Sequence, residues 1–404
     1  MAVVAHHFWG TLGGGELVNA AAATALSEAG YNVVLSGVFR FDKAKYLDWF
    51  GIDLRPYPVV TLFPFEAKAF GLLSRSVVWM PAKKAVKKYK ASLLWFGAGA
   101  ATYKPLLEYR KRGLKIVEYI HFPVEIAFDK KFAHLMYGEG FLESKYGRFP
   151  MNLYWKIAEK AIRRYLRQNP FNDADLVFAN SKWTAQIVKE VYGEMPHVLN
   201  PPIAPNVEVV EKPKPFEERK PQVVMLGRFS QEKRYVEALG LAKDLVKEIP
   251  GFKLVICGSA TSRSSRAYLD KVRETVRRLG LSNVVELHPN AARKTILQLL
   301  DESRAFLHAT INEHWGIAVA EALARGLPVV VHKSGGAWTD LAEEGKVGLG
   351  YSTLDEARQS IIKLLTDKKT WEIYSKYALE KAKSLKIDTF KNSLKTYINA
   401  IGSL

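Results

Sequence analysis

Residues 2–35 read AVVAHHFWGTLGGGELVNAAAATALSEAGYNVVL, and this stretch decides the fold class. An apolar run at 2–8 is followed by a glycine-rich loop, an alanine-rich helical run at 16–29 and a second apolar run at 31–35. Strand, loop, helix and strand in this order form a βαβ unit, which joins parallel strands through a right-handed crossover. The opening of the chain therefore predicts an α/β domain with a parallel sheet.

The same alternation continues in two cycles. Further strands of the first cycle are predicted at 92–96, 115–121 and 176–180. A proline-punctuated stretch at 200–221 predicts an interdomain linker. Strands of the second cycle are predicted at 222–227, 253–258, 284–287, 305–308 and 328–332. Two such halves predict two Rossmann-like domains facing a central cleft. We expect an N-terminal domain at 1–200, a C-terminal domain at 201–380, and a helix at 381–404 that packs back on the N-terminal domain.

Composition narrows the class of protein. Of 404 residues, 48% are hydrophobic and 25% are charged, which is typical of a globular protein and excludes a disordered or fibrous chain. The single cysteine, Cys257, excludes a disulfide scaffold and indicates a reducing compartment. The sequence has no apolar run of about 20 residues and no signal-peptide pattern at its start, so we expect a cytoplasmic location. A count of only six glutamines weakly indicates a thermophilic source.

The net charge of +18 favours an anionic partner. Between Lys68 and Lys115, twelve Lys and Arg residues face one acid, Glu108. A helical cluster within this region, Lys83, Lys84, Lys87 and Lys88, is our predicted contact with an anionic membrane surface. Two alternatives remain for the basic region: it binds nucleic acid, or it is a solvated face with no specific partner. The absence of an RRM, KH or helix-turn-helix signature argues against nucleic acid as a partner.

The strongest motif runs from Asn312 to Glu321, NEHWGIAVAE. Glu313 lies in a strand-to-helix loop, and Glu321 lies in the second turn of the helix that Gly316 opens. Carboxylates at these positions can accept hydrogen bonds from sugar and ribose hydroxyls. Backbone N–H groups at Gly316, Ile317 and Ala318 form a positive helix end that suits a phosphate or a hydroxyl. The alternative is structural, with Glu313 as a capping acid and Glu321 as an exposed helix residue.

Two further loops complete the candidate constellation. The loop Gly227–Arg234 follows the first predicted strand of the second half. Its cations Arg228 and Lys233 can neutralise a diphosphate. The loop that contains Gly14 and Gly15 allows close backbone approach at a helix N-terminus, but it is neither a Walker A loop nor a dinucleotide fingerprint. Asp173 and Asp175 have the Asp-x-Asp form of a metal site, and we interpret them as a turn, so no metal is expected.

These stretches together resemble the GT4 family of retaining, nucleotide-sugar-dependent glycosyltransferases, which have the GT-B fold. The resemblance rests on Glu313…Glu321, on Gly227-Arg228…Lys233 and on the N-terminal glycine loop, which span almost the whole chain. His121-Phe122-Pro123, Asn312–Ile317 and His332–Gly336 are similar to the dolichol-pathway α-1,2-mannosyltransferases. The chain departs from that group at Trp315, where the group commonly has Phe, and it lacks the group's N-terminal membrane anchor.

The resemblance implies roles for individual residues. Arg228 and Lys233 would hold the leaving diphosphate, Glu313 the donor sugar and Glu321 the ribose. The predicted catalytic residues are His121, Arg228, Lys233 and Glu313. The predicted donor-binding residues are Gly14, Gly15, Arg228, Lys233, Glu313, His314, Trp315, Gly316, Ile317, Ala318 and Glu321.

The resemblance also implies partners. The donor would be GDP-mannose, the acceptor a polyprenyl-linked or dolichyl-linked glycan, and the enzyme would associate peripherally with the inner face of the cell membrane. No metal and no cofactor is implied. Two alternatives stay open: a UDP-sugar donor or another lipid acceptor within the same family, and a basic nucleic-acid-binding protein without transferase activity.

Overall fold

The computed structural model describes residues 1–67 and 70–402, so Lys68 of the predicted basic region lies outside the described residues. The chain forms two compact units, which we describe separately. One unit contains Met1–Asn206 together with the residues from Leu385 onward, and the other contains Val207–Ser384.

Each unit is built on one parallel sheet. The strands of the first sheet are β1 (Ala2–Ala5), β2 (Val33–Phe39), β3 (Val59–Phe63), β4 (Leu93–Phe96), β5 (Lys115–Ile120), β6 (Leu176–Ala179) and β7 (His197–Val198). Those of the second sheet are β8 (Lys220–Leu226), β9 (Lys253–Gly258), β10 (Val285–Pro289), β11 (Ser303–His308), β12 (Val329–His332) and β13 (Leu349–Tyr351). The strand orders are β3-β2-β1-β4-β5-β6-β7 and β10-β9-β8-β11-β12-β13, and neighbouring strands pair in parallel. Both orders reverse direction beside their first strand, as in a Rossmann fold, which confirms the predicted fold class.

Helices connect the strands. They are α1 (Gly14–Glu28), α2 (Lys45–Phe50), α3 (Gly71–Val77), α4 (Trp79–Tyr89), α5 (Leu107–Arg110), α6 (Phe141–Tyr146), α7 (Met151–Tyr165), α8 (Pro170–Asp173), α9 (Lys182–Tyr192), α10 (Tyr235–Glu248), α11 (Arg263–Arg278), α12 (Arg293–Glu302), α13 (Ile317–Ala324), α14 (Leu354–Thr366), α15 (Lys368–Ser384) and α16 (Ile387–Gly402). Short 3-10 helices cover Lys104–Leu106, Val124–Phe128, Ala133–Leu135, Phe216–Glu218, Gln231–Lys233 and Glu343–Gly345, and a π-helical turn covers Ala337–Leu341.

The two ends of the first unit meet at helix α1. Its alanines at 20–23 are fully buried, because small side chains let the helix pack closely between neighbours. Helix α16 packs against α1, and Lys391 of α16 donates a hydrogen bond of 2.7 Å to Glu28 at the end of α1. The C-terminal segment therefore belongs structurally to the unit that holds the N-terminus.

The predicted linker is not loose along its whole length. Pro201, Pro202 and Ala204 are buried in the first unit, and the backbone N–H of Ile203 donates to the carbonyl of Leu385 at 2.8 Å. The division between the units falls after Asn206, within the proline-punctuated stretch at 200–221. The first residues of the predicted linker therefore pack within the first unit.

Candidate active site

The strand order places two of the predicted motifs side by side. Strands β8 and β11 are neighbours at the point where the second sheet reverses its order, so the loops that leave their carboxyl ends flank one crevice. Crevices at such switch points are where open α/β sheets bind ligands. The loop after β8 carries Arg228 and Lys233, and the loop after β11 carries Glu313.

Lys233 and Glu313 form a direct ion pair in this crevice. The Lys233 Nζ donates to Glu313 Oε2 at 2.7 Å, and His308 Nε2 lies 3.1 Å from the same oxygen. Burial alone would raise the pKa of Glu313, but the charge of Lys233 and the hydrogen bond with His308 hold it well below its usual range. Burial lowers the pKa of His308, so this imidazole is neutral at pH 7. Glu313 is therefore an ionised carboxylate, and Lys233 supplies its counter-charge.

The backbone of Glu313 is held by the loop that follows β12. The Gly336 N–H donates to the Glu313 carbonyl at 2.7 Å, and the Asn312 N–H donates to Ser334 Oγ at 2.8 Å. Gly335 has φ +75°, and a Cβ there would lie 2.3 Å from the Glu313 carbonyl oxygen, so only glycine fits. The His332–Gly336 motif therefore holds the backbone that carries the Glu313 carboxylate.

The second acid of the motif is also paired. Arg293 Nη1, at the start of α12, donates to Glu321 Oε1 at 2.9 Å. Burial raises the pKa of Glu321, and Arg293 opposes that shift. Glu321 is buried in α13, so the structural alternative of an exposed helix residue was wrong.

Sequence reasoning missed two residues of this site, Arg293 and His308. Both stand at or after the carboxyl end of a strand, β10 for Arg293 and β11 for His308. That position was the available signal, because ligand sites in parallel sheets gather at this edge.

Arg228 does not join the buried pair. Its side chain is 63% exposed and lies 3.3 Å from Glu232 in the same loop. The guanidinium of Arg228 is accessible to solvent and pairs with a neighbouring acid. Its role as a diphosphate ligand stays a prediction.

The remaining predicted donor-site residues surround the start of α13. Gly316 precedes the helix with φ +103°, and Ile317 and Ala318 form its first turn. Trp315 is buried, 3% exposed, and packs beneath the loop. Burial lowers the pKa of His314 to about 4, so its imidazole is neutral at pH 7. A first turn with exposed N–H groups beside neutral rings suits an oxygen-rich ligand.

The predicted residues of the first unit lie at its own switch point. Helix α1 begins at Gly14, and a Cβ on Gly15 would lie 3.3 Å from His6 Cε1 and 3.8 Å from His121 Nε2. His6 follows β1 and His121 follows β5, so the glycine loop and two histidines share one edge of the first sheet. The catalytic role of His121 stays a prediction.

Asp173 and Asp175 accept hydrogen bonds from backbone N–H groups. Asp173 Oδ2 accepts from the N–H of Gln168 at 2.7 Å, and Asp175 Oδ2 accepts from the N–H of Ile116 at 2.8 Å. Arg110 also contacts Asp175 at 3.2 Å. In the part of the chain that the structure describes, no group of three or more His, Cys, Asp and Glu side chains is arranged to hold a metal ion.

We expect Glu321→Gln to raise the KM for the nucleotide donor by about tenfold while changing kcat little, since the predicted ribose contact would be made in the ground and transition states alike. Steady-state kinetics over a range of donor concentrations measures this split. Glu302→Gln is the matched control, because Glu302 is a helical acid of the same unit that pairs with Lys220 on the surface. A fall in kcat with an unchanged KM would assign Glu321 to the reacting sugar instead.

Two consecutive parallel-sheet domains, with an acid and lysine pair at the switch point of the second, define a GT-B glycosyltransferase. Residues 12–206 match the Glycosyltransferase Family 4 model, and residues 207–381 match the model of Glycosyl transferases group 1. The two matches together cover residues 12–381. The chain belongs to the family 4 glycosyltransferases, as the sequence motifs predicted.

Curated relatives point to one group within the family. The chain is 30% identical over 241 residues to the GDP-Man:Man(3)GlcNAc(2)-PP-Dol alpha-1,2-mannosyltransferase of Candida glabrata, covering 57% of this chain and 45% of that protein. It is 28% identical over 181 residues to the human protein of the same name, covering 42% of this chain and 36% of that protein. The chain thus spans less than half the length of these relatives.

Solved structures share the fold of the whole chain. A sucrose-phosphate synthase from Thermosynechococcus elongatus superposes with a TM-score of 0.70 at 15% identity, covering 100% of this chain and 98% of that one. Anabaena HepE in complex with UDP and glucose superposes with a TM-score of 0.66 at 17% identity, covering 100% and 99%. At these identities the likeness establishes the two-domain architecture alone.

Proposed function

We propose that this protein transfers mannose from GDP-mannose, with retention of configuration, to a glycan linked to a polyprenyl or dolichyl diphosphate. The observation that carries the proposal is the buried pair of Lys233 and Glu313 at the switch point of the second sheet, with Glu321 nearby on α13. The names of the curated relatives support the choice of donor and acceptor.

The site residues divide the chemical work. Lys233 and the solvent-accessible Arg228 neutralise the diphosphate as it leaves, and the N–H groups of the first turn of α13 add partial positive charge. Glu313 accepts hydrogen bonds from the sugar hydroxyls and orients the reacting carbon. Glu321 accepts from the ribose hydroxyls. The catalytic role of His121 in the first unit, which the family resemblance implies, belongs to the same proposal.

The proposed reaction needs no metal ion and assigns no enzyme nucleophile. Fixed cations at the diphosphate supply the stabilisation that a divalent metal supplies in other transferases. Glu313 is paired with Lys233 as a positioning carboxylate, so the two-carboxylate template of the glycosidases is not invoked.

The donor is tested by thermal unfolding with each of GDP-mannose, UDP-glucose and UDP-N-acetylglucosamine in the presence of EDTA. A true donor at 100 times its dissociation constant stabilises the folded state by about 2.7 kcal/mol. We expect GDP-mannose alone to produce this shift, and we expect mannosyl transfer to a prenyl-diphosphate glycan to continue in EDTA. Stabilisation by a UDP-sugar and not by GDP-mannose would show that the donor is a UDP-sugar. Loss of transfer in EDTA with rescue by Mg²⁺ or Mn²⁺ would overturn the metal-free mechanism.

We further propose that the first unit binds an anionic membrane through helix α7 and the turn before it. Phe149, Leu153 and Ile157 are 79%, 50% and 50% exposed, although large apolar side chains are usually buried. Exposed Lys and Arg residues on the same helix, at 156, 160, 163 and 164, complement anionic headgroups. An exposed apolar stripe edged by cations suits the interface between headgroups and acyl chains.

The predicted lysine cluster on α4 contributes charge alone. Lys84, Lys87 and Lys88 are exposed, but Lys83 bonds to Glu108 at 2.6 Å. Trp95, an aromatic residue within the basic region of the sequence, is fully buried in the first sheet and does not reach the surface. Within residues 1–67 and 70–402, no helix is long and apolar enough to cross a bilayer.

Replacing Phe149, Leu153 and Ile157 together by serine should abolish binding to phosphatidylglycerol vesicles, because the inserting side chains are lost. Wild-type binding should fall as salt rises, since the Debye length is about 10 Å at 0.1 M. Met195→Ser, which changes an exposed apolar side chain of the same unit outside this helix, is the control. Equal vesicle sedimentation of the triple variant and the wild type would refute the role of α7, and salt-sensitive binding to RNA without vesicle binding would favour nucleic acid.

A further inference from the structure

Arg75 on α3 is partly buried, and hydrogen bonds satisfy its guanidinium only in part. Its Nε is buried and has no hydrogen-bond partner, and its Nη1 donates to the Gly71 carbonyl of the same helix at 2.8 Å. Among the described residues, no carboxylate lies within ion-pair distance of it. Burial lowers the pKa of Arg75, which means that the folded protein disfavours the charge it carries there.

The two arginines that are buried among the described residues, Arg167 and Arg219, are both compensated. Arg167 contacts the carboxylates of Glu118 and Glu125 at 2.9 and 3.1 Å. Arg219 donates to the backbone carbonyls of Lys214, Leu300, Ser303 and Arg325. A desolvated cation without such partners costs stability, and an anionic ligand would supply the missing compensation.

Arg75 lies at the switch point of the first sheet, beside the loop that follows β4, the parallel neighbour of β1. Gly99, in the loop after β4, has φ +81°, and a Cβ there would lie 3.1 Å from Arg75 Nε, so the loop and the guanidinium are in close contact. The strand order reverses between β1 and β4, which marks the ligand-binding crevice of a parallel sheet.

His7 and the start of α1 converge on the same edge. His7 follows β1, is 7% exposed, and its Nδ1 has no hydrogen-bond partner. The charge of Arg75 adds to burial in lowering the pKa of His7, so the two groups are neighbours. Helix α1 is 15 residues long and presents its N-terminus beside His6, the residue before His7. An arginine, a neutral imidazole and a helix N-terminus are all suited to a phosphate group.

We propose that Arg75, assisted by His7, anchors a phosphate-binding site in the first unit, and that this site holds the diphosphate of the lipid-linked acceptor. The identity of the occupant rests on the proposed function. The binding of a phosphate or diphosphate monoester by the guanidinium does not depend on the proposed function. The same chemistry could come from the nucleotide, and the experiment separates the two sources.

The probes are inorganic pyrophosphate, farnesyl diphosphate and GDP, each titrated by calorimetry into the full chain without turnover. We expect farnesyl diphosphate and pyrophosphate to bind, and Arg75→Gln to weaken both by at least about tenfold, since charge-assisted hydrogen bonds are lost. GDP binding should be unchanged. Arg75→Lys, which keeps a point charge, should restore part of the binding. Arg55→Gln is the matched control, because Arg55 of the same unit is exposed and paired with Asp53.

Thermal unfolding without ligand supplies an independent readout. An arginine with a structural role loses stability on substitution, whereas removal of an uncompensated charge should leave the melting temperature of Arg75→Gln unchanged or higher. A clear fall in melting temperature with unchanged diphosphate binding would overturn the proposal. Loss of GDP binding alone would reassign the site to the nucleotide. Failure of the proposed function would appear separately, as absence of mannosyl transfer with diphosphate binding at Arg75 intact.

Discussion

Lys233→Met should lower kcat by about 100-fold, with the fold intact. The substitution removes the cation that we propose binds the leaving diphosphate, and hydrogen bonds to charged groups contribute about 1.5–3 kcal/mol each. It also leaves the Glu313 carboxylate buried without its counter-charge, although His308 still lies 3.1 Å away. Steady-state turnover of the nucleotide sugar measures the effect.

The same variant should change the pH dependence. In the wild type, Lys233 and His308 hold the pKa of Glu313 well below its usual range, so the carboxylate stays ionised across neutral and mildly acidic pH. Without Lys233 burial dominates and raises that pKa, because desolvation penalises the charged form. The acid limb of the kcat/KM profile should therefore move to higher pH.

Lys220→Met is the control for the lysine variant. Lys220 pairs with Glu302 at 2.6 Å in the same unit, but its side chain is 60% exposed. Exposed pairs contribute about 0–1 kcal/mol, so this variant should keep wild-type turnover and an unshifted pH profile. Turnover of Lys233→Met within twofold of the wild type would remove Lys233 from the diphosphate site.

Arg167→Met should destabilise the protein by about 3–5 kcal/mol, the cost of leaving a buried charge uncompensated. Arg167 is fully buried between Glu118 and Glu125, which are 3% and 6% exposed as side chains. Its Nη1 also donates to the Tyr192 hydroxyl at 3.0 Å, and that hydroxyl donates to Glu125 at 2.8 Å. Without the guanidinium, two carboxylates remain in the interior of the first unit.

Thermal and urea unfolding of the Arg167 variant measure the loss. Arg163→Met is the matched control on the neighbouring helix α7, where Arg163 is half exposed and pairs with Glu159 four residues earlier. Such helical surface pairs contribute about 0.3–0.5 kcal/mol. Equal stability of the two variants would contradict the prediction, because it would mean that Glu118 and Glu125 tolerate burial without the Arg167 guanidinium.

Much of the fold was predictable because apolar runs mark parallel strands clearly. Strand β9 was predicted with the bounds it has, and most others shifted by one to four residues at an end. The strands that were missed are all edge strands, namely β3 and β7 of the first sheet and β13 of the second. Edge strands carry weaker apolar patterns, because one side of each has no neighbouring strand.

The candidate site was predictable in part for a related reason. Residues that follow strand ends in a Rossmann-like order gather at one edge, so Arg228, Lys233 and Glu313 could be grouped from their motifs. The partners of Glu313 and Glu321 could not be predicted from these motifs. Arg293 lies 28 residues before Glu321, and nothing in the spacing shows which way its side chain points.

Sequence patterning was sufficient for the α/β class, the two domains and the family, because strand and helix periodicity and short loop motifs are local properties of the chain. The choice of partner for each charge was settled by three-dimensional packing. Lys233 and Glu313 are 80 residues apart and meet because β8 and β11 are neighbours. Arg75 lacks an anion, Arg167 has two, and Trp95 is buried rather than interfacial, since desolvation and contact depend on which surfaces the folded chain brings together.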